Sequence, residues 1–262
     1  MIRTYFVDGD KGGVGKSMIA RAVIDMLLQS ERFLLSAIDR IVVVDADPAN
    51  ADVCGSDGYS DESVGVGDKK TKIVAIQHPI RFVDDWFSLI SLLDDKNLIN
   101  DGQNNRIVIS LPAAAGLVLA ENPTVLEMLD EFNGFHVWVL GNERSSVEQL
   151  EKRIEVAPYS YARGFAVRNL KHGSANSFAF WNNSITRKNV MEWGWQEIDF
   201  PVLSPGIAVE IGSVPVHKVE RDKINASGAR AMLGTQIAIR GYRSVSGNRL
   251  KVLETTFIDG GV

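Results

Sequence analysis

A single cysteine, Cys54, occurs among 262 residues. One thiol excludes a disulfide framework and suits a reducing compartment, so a cytoplasmic location is expected. Histidine is scarce as well. His78, His136, His172 and His217 lie far apart and make no metal-site spacing with one cysteine. No uninterrupted apolar stretch approaches the ~20 residues of a membrane span, so no membrane partner is expected. Also missing are a Gly-x-Ser-x-Gly elbow, internal repeats and low-complexity tracts. A glycine-rich run is under way by residue 11, so no signal peptide is expected ahead of it.

What is present is a 45% apolar chain with a net charge of −5, enough for a sizeable core. The charge is unevenly spread. Residues 1–130 hold 12 Lys and Arg against 20 Asp and Glu, and the remainder holds 16 against 13. Between His217 and Val252 stand Lys218, Arg221, Lys223, Arg230, Arg240, Arg243, Arg249 and Lys251 against only Glu220 and Asp222. Such local excess suits a polyanion, and equally a solvated helix surface.

Apolar runs predict strands at Ile2–Val7, Ile41–Asp45, Lys72–Gln77, Arg106–Ser110, His136–Leu140, Phe178–Trp181 and Glu197–Phe200. Helical spacing covers Ser17–Ser30, Phe82–Asp94, Pro123–Phe132, Ser146–Val156, Ile185–Glu192 and much of Val219–Ile239. Polar, glycine-containing stretches at Gly55–Lys70 and Ala162–Ser177 predict loops. Strands such as Ile41-Val42-Val43-Val44 are apolar on both faces, which implies a mainly parallel sheet flanked by helices. The expected fold is a doubly wound α/β domain over residues 1–262, with a basic helical region at about 217–252. Ligands of such folds sit at the carboxyl ends of the strands. The five tryptophans mostly lie in apolar runs and are expected in the core.

The sharpest signal is Lys11-Gly12-Gly13-Val14-Gly15-Lys16-Ser17, between the first strand and the first helix. Glycines let successive backbone N–H groups converge on one anion, and the helix that follows adds its positive end. In such a loop Lys16 reaches the β and γ phosphates, and the Ser17 hydroxyl can ligate Mg²⁺. A second signal is Val43-Val44-Asp45-Ala46-Asp47-Pro48. A buried strand there delivers two carboxylates at its carboxyl end. Asp-Pro is also a common turn opening.

The strict phosphate-loop pattern fails at Asp10, where it needs glycine, and a lysine stands at Lys11 instead. This resembles the deviant Walker A motif of the ParA/MinD family of dimerising ATPases. The resemblance implies a P-loop ATPase fold that takes ATP and Mg²⁺ and forms a homodimer on binding ATP. It gives Lys11 a role at the partner subunit's nucleotide and Asp47 the positioning of the hydrolytic water. It assigns Asp45 to support of the metal and of Ser17, and nucleotide contacts to Gly12, Gly13, Val14, Gly15, Lys16, Ser17 and Met18. The strand Ile107–Ser110 takes the place of Walker B, but Ser110 stands where the family usually has aspartate; a plain core strand is the other reading. Asn182, after Phe178–Trp181, fits the asparagine that reads adenine, although strand ends often carry a turn asparagine. Residues 201–205, Pro to Pro, resemble the loop over the base. The end of the sequence lacks the basic amphipathic helix of MinD-like members, and the basic stretch before it is more like ParA-like members, which bind DNA non-specifically. The loop's surroundings, Gly9-Asp10-Lys11 and Ala20-Arg21-Ala22, look similar to ParA-like proteins of plasmid stability and conjugative transfer. The expected function is a slow, partner-stimulated ATPase switch in partitioning or DNA transfer, with an activating partner protein. A scaffold that binds ATP with little hydrolysis, or a metabolic or metal-delivery enzyme on this fold, remains an alternative.

Overall fold

Eight strands form one sheet in the order β3-β4-β2-β5-β1-β6-β7-β8. The computed structural model describes residues 1–9, 12–29, 37–66, 69–95, 98–99, 102–113, 115–158 and 160–255. The strands are β1 (Ile2–Asp8), β2 (Arg40–Asp45), β3 (Glu62–Val66), β4 (Lys69–Gln77), β5 (Asn105–Ser110), β6 (Gly134–Leu140), β7 (Gly164–Asn169) and β8 (Gln196–Phe200). Every pairing is parallel except β3 with β4. The helices are α1 (Lys16–Leu28), α2 (Val83–Leu93), α3 (Ala115–Glu121), α4 (Pro123–Asp130), α5 (Ser145–Val156), α6 (Ala179–Asn182), α7 (Ile185–Glu192), α8 (Pro205–Ile211), α9 (Val216–Asp222), α10 (Leu233–Leu250) and α11 (Val252–Thr255).

The β2 valines show why the sheet is central. Val43 packs with α1 and the C-terminal helices, while Val42 and Val44 join the opposite core around Trp86 and Leu89 of α2. Alternate side chains of one strand thus feed two apolar layers, the doubly wound arrangement that the all-apolar runs predict. Each fully buried branched side chain contributes roughly 1.5–3 kcal/mol. Trp86, Trp138, Trp181 and Trp195 are fully buried, as expected, while Trp193 is exposed.

Three expectations need correction. Phe178–Trp181 is not a strand: Ala179–Asn182 is a short helix. Phe178 and Trp181 are buried while Phe180 is half exposed. That is a spacing of three, whereas a strand would put Phe178 and Phe180 on one face. Both predicted loops contain strands, β3 in the first and β7 in the second. In β7 the apolar run is only Phe165-Ala166-Val167, and Gly164 is required because a Cβ there would lie 2.5 Å from the Trp195 ring. The long helix expected over Val219–Ile239 is broken. Lys223 takes a left-handed conformation and ends α9, Ile224 bridges to Arg230, and α10 starts at Leu233.

At the amino-terminal edge of the central strands, Glu254 of α11 closes a buried cluster. Arg106 grips its carboxylate with two nitrogens at 2.5 and 2.7 Å, and Tyr5 donates to it at 2.6 Å. Arg3 donates to the Leu253 and Glu254 carbonyls. Register explains the meeting, since Arg3 and Arg106 are neighbours on β1 and β5. This latch lies at the opposite strand ends from the glycine loop.

Candidate functional site

β1 ends at Asp8, and the chain turns through the glycine loop into α1. Two glycines carry the turn. Gly13 has φ +87°, and Gly15, at the N-cap of α1, has φ +102°. Those values suit glycine and strain any other residue. A Cβ on Gly15 would also meet the Asn169 amide at 2.3 Å. The loop opens onto a cleft of about 360 Å³. Lys16, Ser17 and Met18 line it from the start of α1, Asp47 and Asn50 from the loop after β2, and Lys171 from the turn after β7. The cleft therefore lies at the carboxyl ends of parallel strands. Lys16, Ser17 and Asp47 come together here. Asp10 and Lys11 lie outside the described residues.

The two carboxylates after β2 do different things. Asp45 is buried. Its Oδ2 accepts from the backbone N–H groups of Val53 at 2.8 Å and Cys54 at 3.0 Å, and its Oδ1 accepts from Asp47 N–H at 3.4 Å. Burial pushes its carboxyl above the usual range, and the backbone N–H donors oppose that shift. Asp45 thus anchors the loop from 47 to 54 and does not line the cleft. Asp47 does. Its Oδ1 accepts from Ala49 and Asn50 N–H, which fixes the side chain against the following turn.

Register puts Ser110 of β5 beside Asp45 of β2 and Val7 of β1, at the strand end expected for the Walker B position. It is buried, and Leu111 and Ala113 just beyond it line the cleft. Asn182 is elsewhere. Its carbonyl accepts from Arg168 at 3.1 Å and its amide donates to Ala175 at 2.9 Å. It holds α6 against β7 and does not line the cleft.

Four participants have no counterpart in the sequence reading. Asn169, at the end of β7, donates its amide to the Val14 carbonyl at 2.7 Å and so braces the glycine loop. Lys171 follows it into the cleft. Asp8 and Arg153 of α5 form a buried ion pair at 3.0 Å directly before the loop. Only the β7 pattern, Phe-Ala-Val-Arg-Asn, could have signalled Asn169; an ion pair between residues so far apart leaves no trace in spacing. Beside that pair, His136 stacks on Tyr161 with ring centroids 4.0 Å apart, and burial lowers its pKa to about 4.

The donor set suits a phosphate ligand with a metal held largely by it. Hydroxyl, carboxylate and water oxygens suit Mg²⁺, which keeps several waters and takes few protein ligands. Among the described residues no group of three His, Cys, Asp or Glu could hold a metal alone. Ser17 and Asp47 offer oxygens in the cleft, and Lys16 offers positive charge.

The chain is similar to Protein MobD of Acidithiobacillus ferrooxidans. The two are 27% identical over 214 residues, covering 80% of this chain and 82% of MobD. No protein-family model matches the chain. Among solved structures it is similar to a nucleotide-binding protein from Archaeoglobus fulgidus in complex with ADP (12% identity, 98% of this chain and 91% of that one, TM-score 0.44). It is also similar to the MinD cell division protein of Aquifex aeolicus (12%, 94% and 97%, 0.46). A third is cobyrinic acid a,c-diamide synthase of Mycobacterium smegmatis with bound ADP and magnesium (15%, 97% and 96%, 0.42).

No helix among the described residues is long and apolar enough to cross a membrane. The basic stretch is partly neutralised. Lys218 and Arg221 pair with Glu62, Arg240 with Glu220, and Arg243 with Asp25 and Glu220. Lys223, Arg230, Arg249 and Lys251 are exposed and form no ion pair among the described residues. They fall in two groups, one before α10 and one at its far end.

Proposed function

We propose that this protein is an ATP-dependent switch of the ParA/MinD type, a slow ATPase that dimerises around nucleotide. The carrying observation is the glycine loop, with left-handed Gly13 and Gly15, presenting Lys16 and Ser17 to a cleft shared with Asp47. In this reading the backbone from Gly12 to Met18 cradles the phosphates. Lys16 neutralises their charge and the Ser17 hydroxyl takes a place on Mg²⁺. The metal, when bound, would withdraw charge from the phosphate oxygens. Asp47 orients the attacking water, and Asp45 supports this at one remove by anchoring the loop that carries Asp47. Lys11 acts on the partner subunit's nucleotide, so its cation arrives only in the dimer. Location is cytoplasmic, and the task is partitioning or DNA transfer with an activating partner protein. DNA contact falls to Lys223, Arg230, Arg249 and Lys251, whose charge is available for phosphates; such binding weakens steeply with salt.

A second reading is a scaffold that binds ATP and scarcely turns it over. It is favoured by Ser110 in the Walker B place and by the engagement of both Asp45 oxygens with backbone N–H groups.

The deciding experiment is the mass in solution with ADP, and with a slowly hydrolysed ATP analogue plus Mg²⁺, for the parent and Lys11→Ala, with and without plasmid DNA. A dimer that needs triphosphate and Lys11, and alone binds DNA at low salt, is the expected result. A monomer in every state overturns the dimer. Dimerisation without phosphate release moves the choice to the scaffold.

A further inference from the structure

One buried cation borders the cleft and forms no ion pair among the described residues. Arg21 lies one turn after Ser17 on α1 and is 5% exposed. No Asp or Glu forms an ion pair with it among the described residues. Its Nε is buried and makes no hydrogen bond. Burial lowers its pKa from the usual arginine value, opposed by Tyr59, Tyr242 and the Asp52 carboxylate. A charge left in that condition is costly. What Arg21 does hold is main chain: Nη1 donates to the Gly212 carbonyl at 3.0 Å and Nη2 to the Val214 carbonyl at 2.7 Å.

Those two carbonyls flank Ser213. Gly212 takes φ +52° and ψ −128°, a backbone conformation for glycine alone. With both flanking carbonyls drawn onto one guanidinium, Ser213 joins the cleft wall beside Ser17 and Asp47. Neither the N–H nor the hydroxyl of Ser213 bonds to another described residue. Ser213 thus stands in the wall with both donors unbonded among the described residues, held from behind by a buried cation that has no ion-pair partner there.

We propose that Arg21 is a positioning residue that sets Ser213 as an anion subsite of the cleft, taking a phosphate oxygen of the bound nucleotide. This rests on the nucleotide reading above. The fork of Arg21 fixes two carbonyls at once, which the point charge of lysine does not. Asp52 on the same cleft is the carboxylate that acts on Arg21, though it forms no ion pair with it, and the bound anion adds a nearer counter-charge.

The test uses the full chain and four variants, Arg21→Gln, Arg21→Lys, Ser213→Ala and Lys16→Ala. Amide exchange over residues 208–216 is measured without ligand. Affinity is measured for ADP, for a slowly hydrolysed ATP analogue and for inorganic phosphate. Arg21→Gln should speed exchange at 212–216 by about tenfold, and Arg21→Lys should do so partly. Ser213→Ala should leave exchange unchanged and weaken nucleotide about tenfold, the scale of one hydrogen bond to a charged group. Loss confined to the ATP analogue places the subsite at the terminal phosphate, and equal loss with ADP places it nearer the base. Parental affinity of Ser213→Ala for all three ligands overturns the subsite. Unchanged exchange in both Arg21 variants overturns the positioning role, whether or not any variant binds nucleotide. If the parent binds no nucleotide, or Lys16→Ala binds it as the parent does, the nucleotide reading fails. Phosphate affinity of Ser213→Ala then decides the subsite alone.

Discussion

The amide of Asn169 donates to the carbonyl of Val14 at 2.7 Å, so the end of β7 fastens the middle of the glycine loop. The same amide occupies the space that a Cβ on Gly15 would need. Gly15→Ala is therefore opposed twice, by the neighbour and by φ +102°. Nucleotide affinity should drop at least tenfold, with the thermal midpoint lowered by a few degrees. Titration with a fluorescent ADP alongside calorimetry checks this, and parental affinity would refute the brace. Asn169→Ala should cost about 1 kcal/mol of stability, the net value of one buried hydrogen bond.

Asp8 and Arg153 test whether the base of the loop is held by charge. The pair is almost wholly buried. Arg153→Met leaves the Asp8 charge without its partner and should destabilise by about 3–5 kcal/mol. The double variant with Asp8→Asn should recover part of that loss. Urea unfolding of the two single variants and the double closes the cycle. Additive costs would mean that the two side chains do not interact.

Ser110→Asp adds a carboxylate beside Asp45 at the strand end expected for Walker B. If that register places it near the metal, the Mg²⁺ concentration for half-maximal phosphate release should fall severalfold. The measurement is turnover against Mg²⁺. Parental Mg²⁺ dependence and rate would mean that β5 has no part in the metal site.

His136 gives a pH signature. Its pKa is about 4 when folded, because burial disfavours the imidazolium, against about 6.5 in an unfolded chain. Between those values the unfolded state binds more protons, so stability falls as pH drops through 6.5 towards 4. The loss amounts to about 3 kcal/mol. His136→Phe keeps a ring against Tyr161 and should flatten that part of the profile. Urea midpoints from pH 7.5 to 4 for both proteins test it, and parallel profiles would contradict it.

Sequence reading recovered the sheet where strands are apolar throughout. It failed where packing dictates the residue. Gly164 looks like a loop residue because nothing in spacing shows the Trp195 ring above it. Asn169 was hidden with it, and Asn182 took its place as the asparagine at a strand end. The loop from Gly12 to Ser17 was legible because its left-handed backbone at Gly13 and Gly15 demands glycine. Asp47 was legible with it, since a buried strand must end before a carboxylate can meet solvent. Arg21 and Arg153 were not, because their partners are backbone carbonyls or a carboxylate more than a hundred positions away.

The Glu254 cluster has a consequence for the order of assembly. Tyr5 and Glu254 are 249 positions apart, yet both belong to one buried site. While the chain is being made, Arg3 and Arg106 are without the anion that neutralises them until α11 arrives. The central strands can align early, but burying their amino-terminal edge before then would strand two cations. Such long-range closure slows folding. The nascent protein should thus keep that edge hydrated and open until synthesis has passed residue 254.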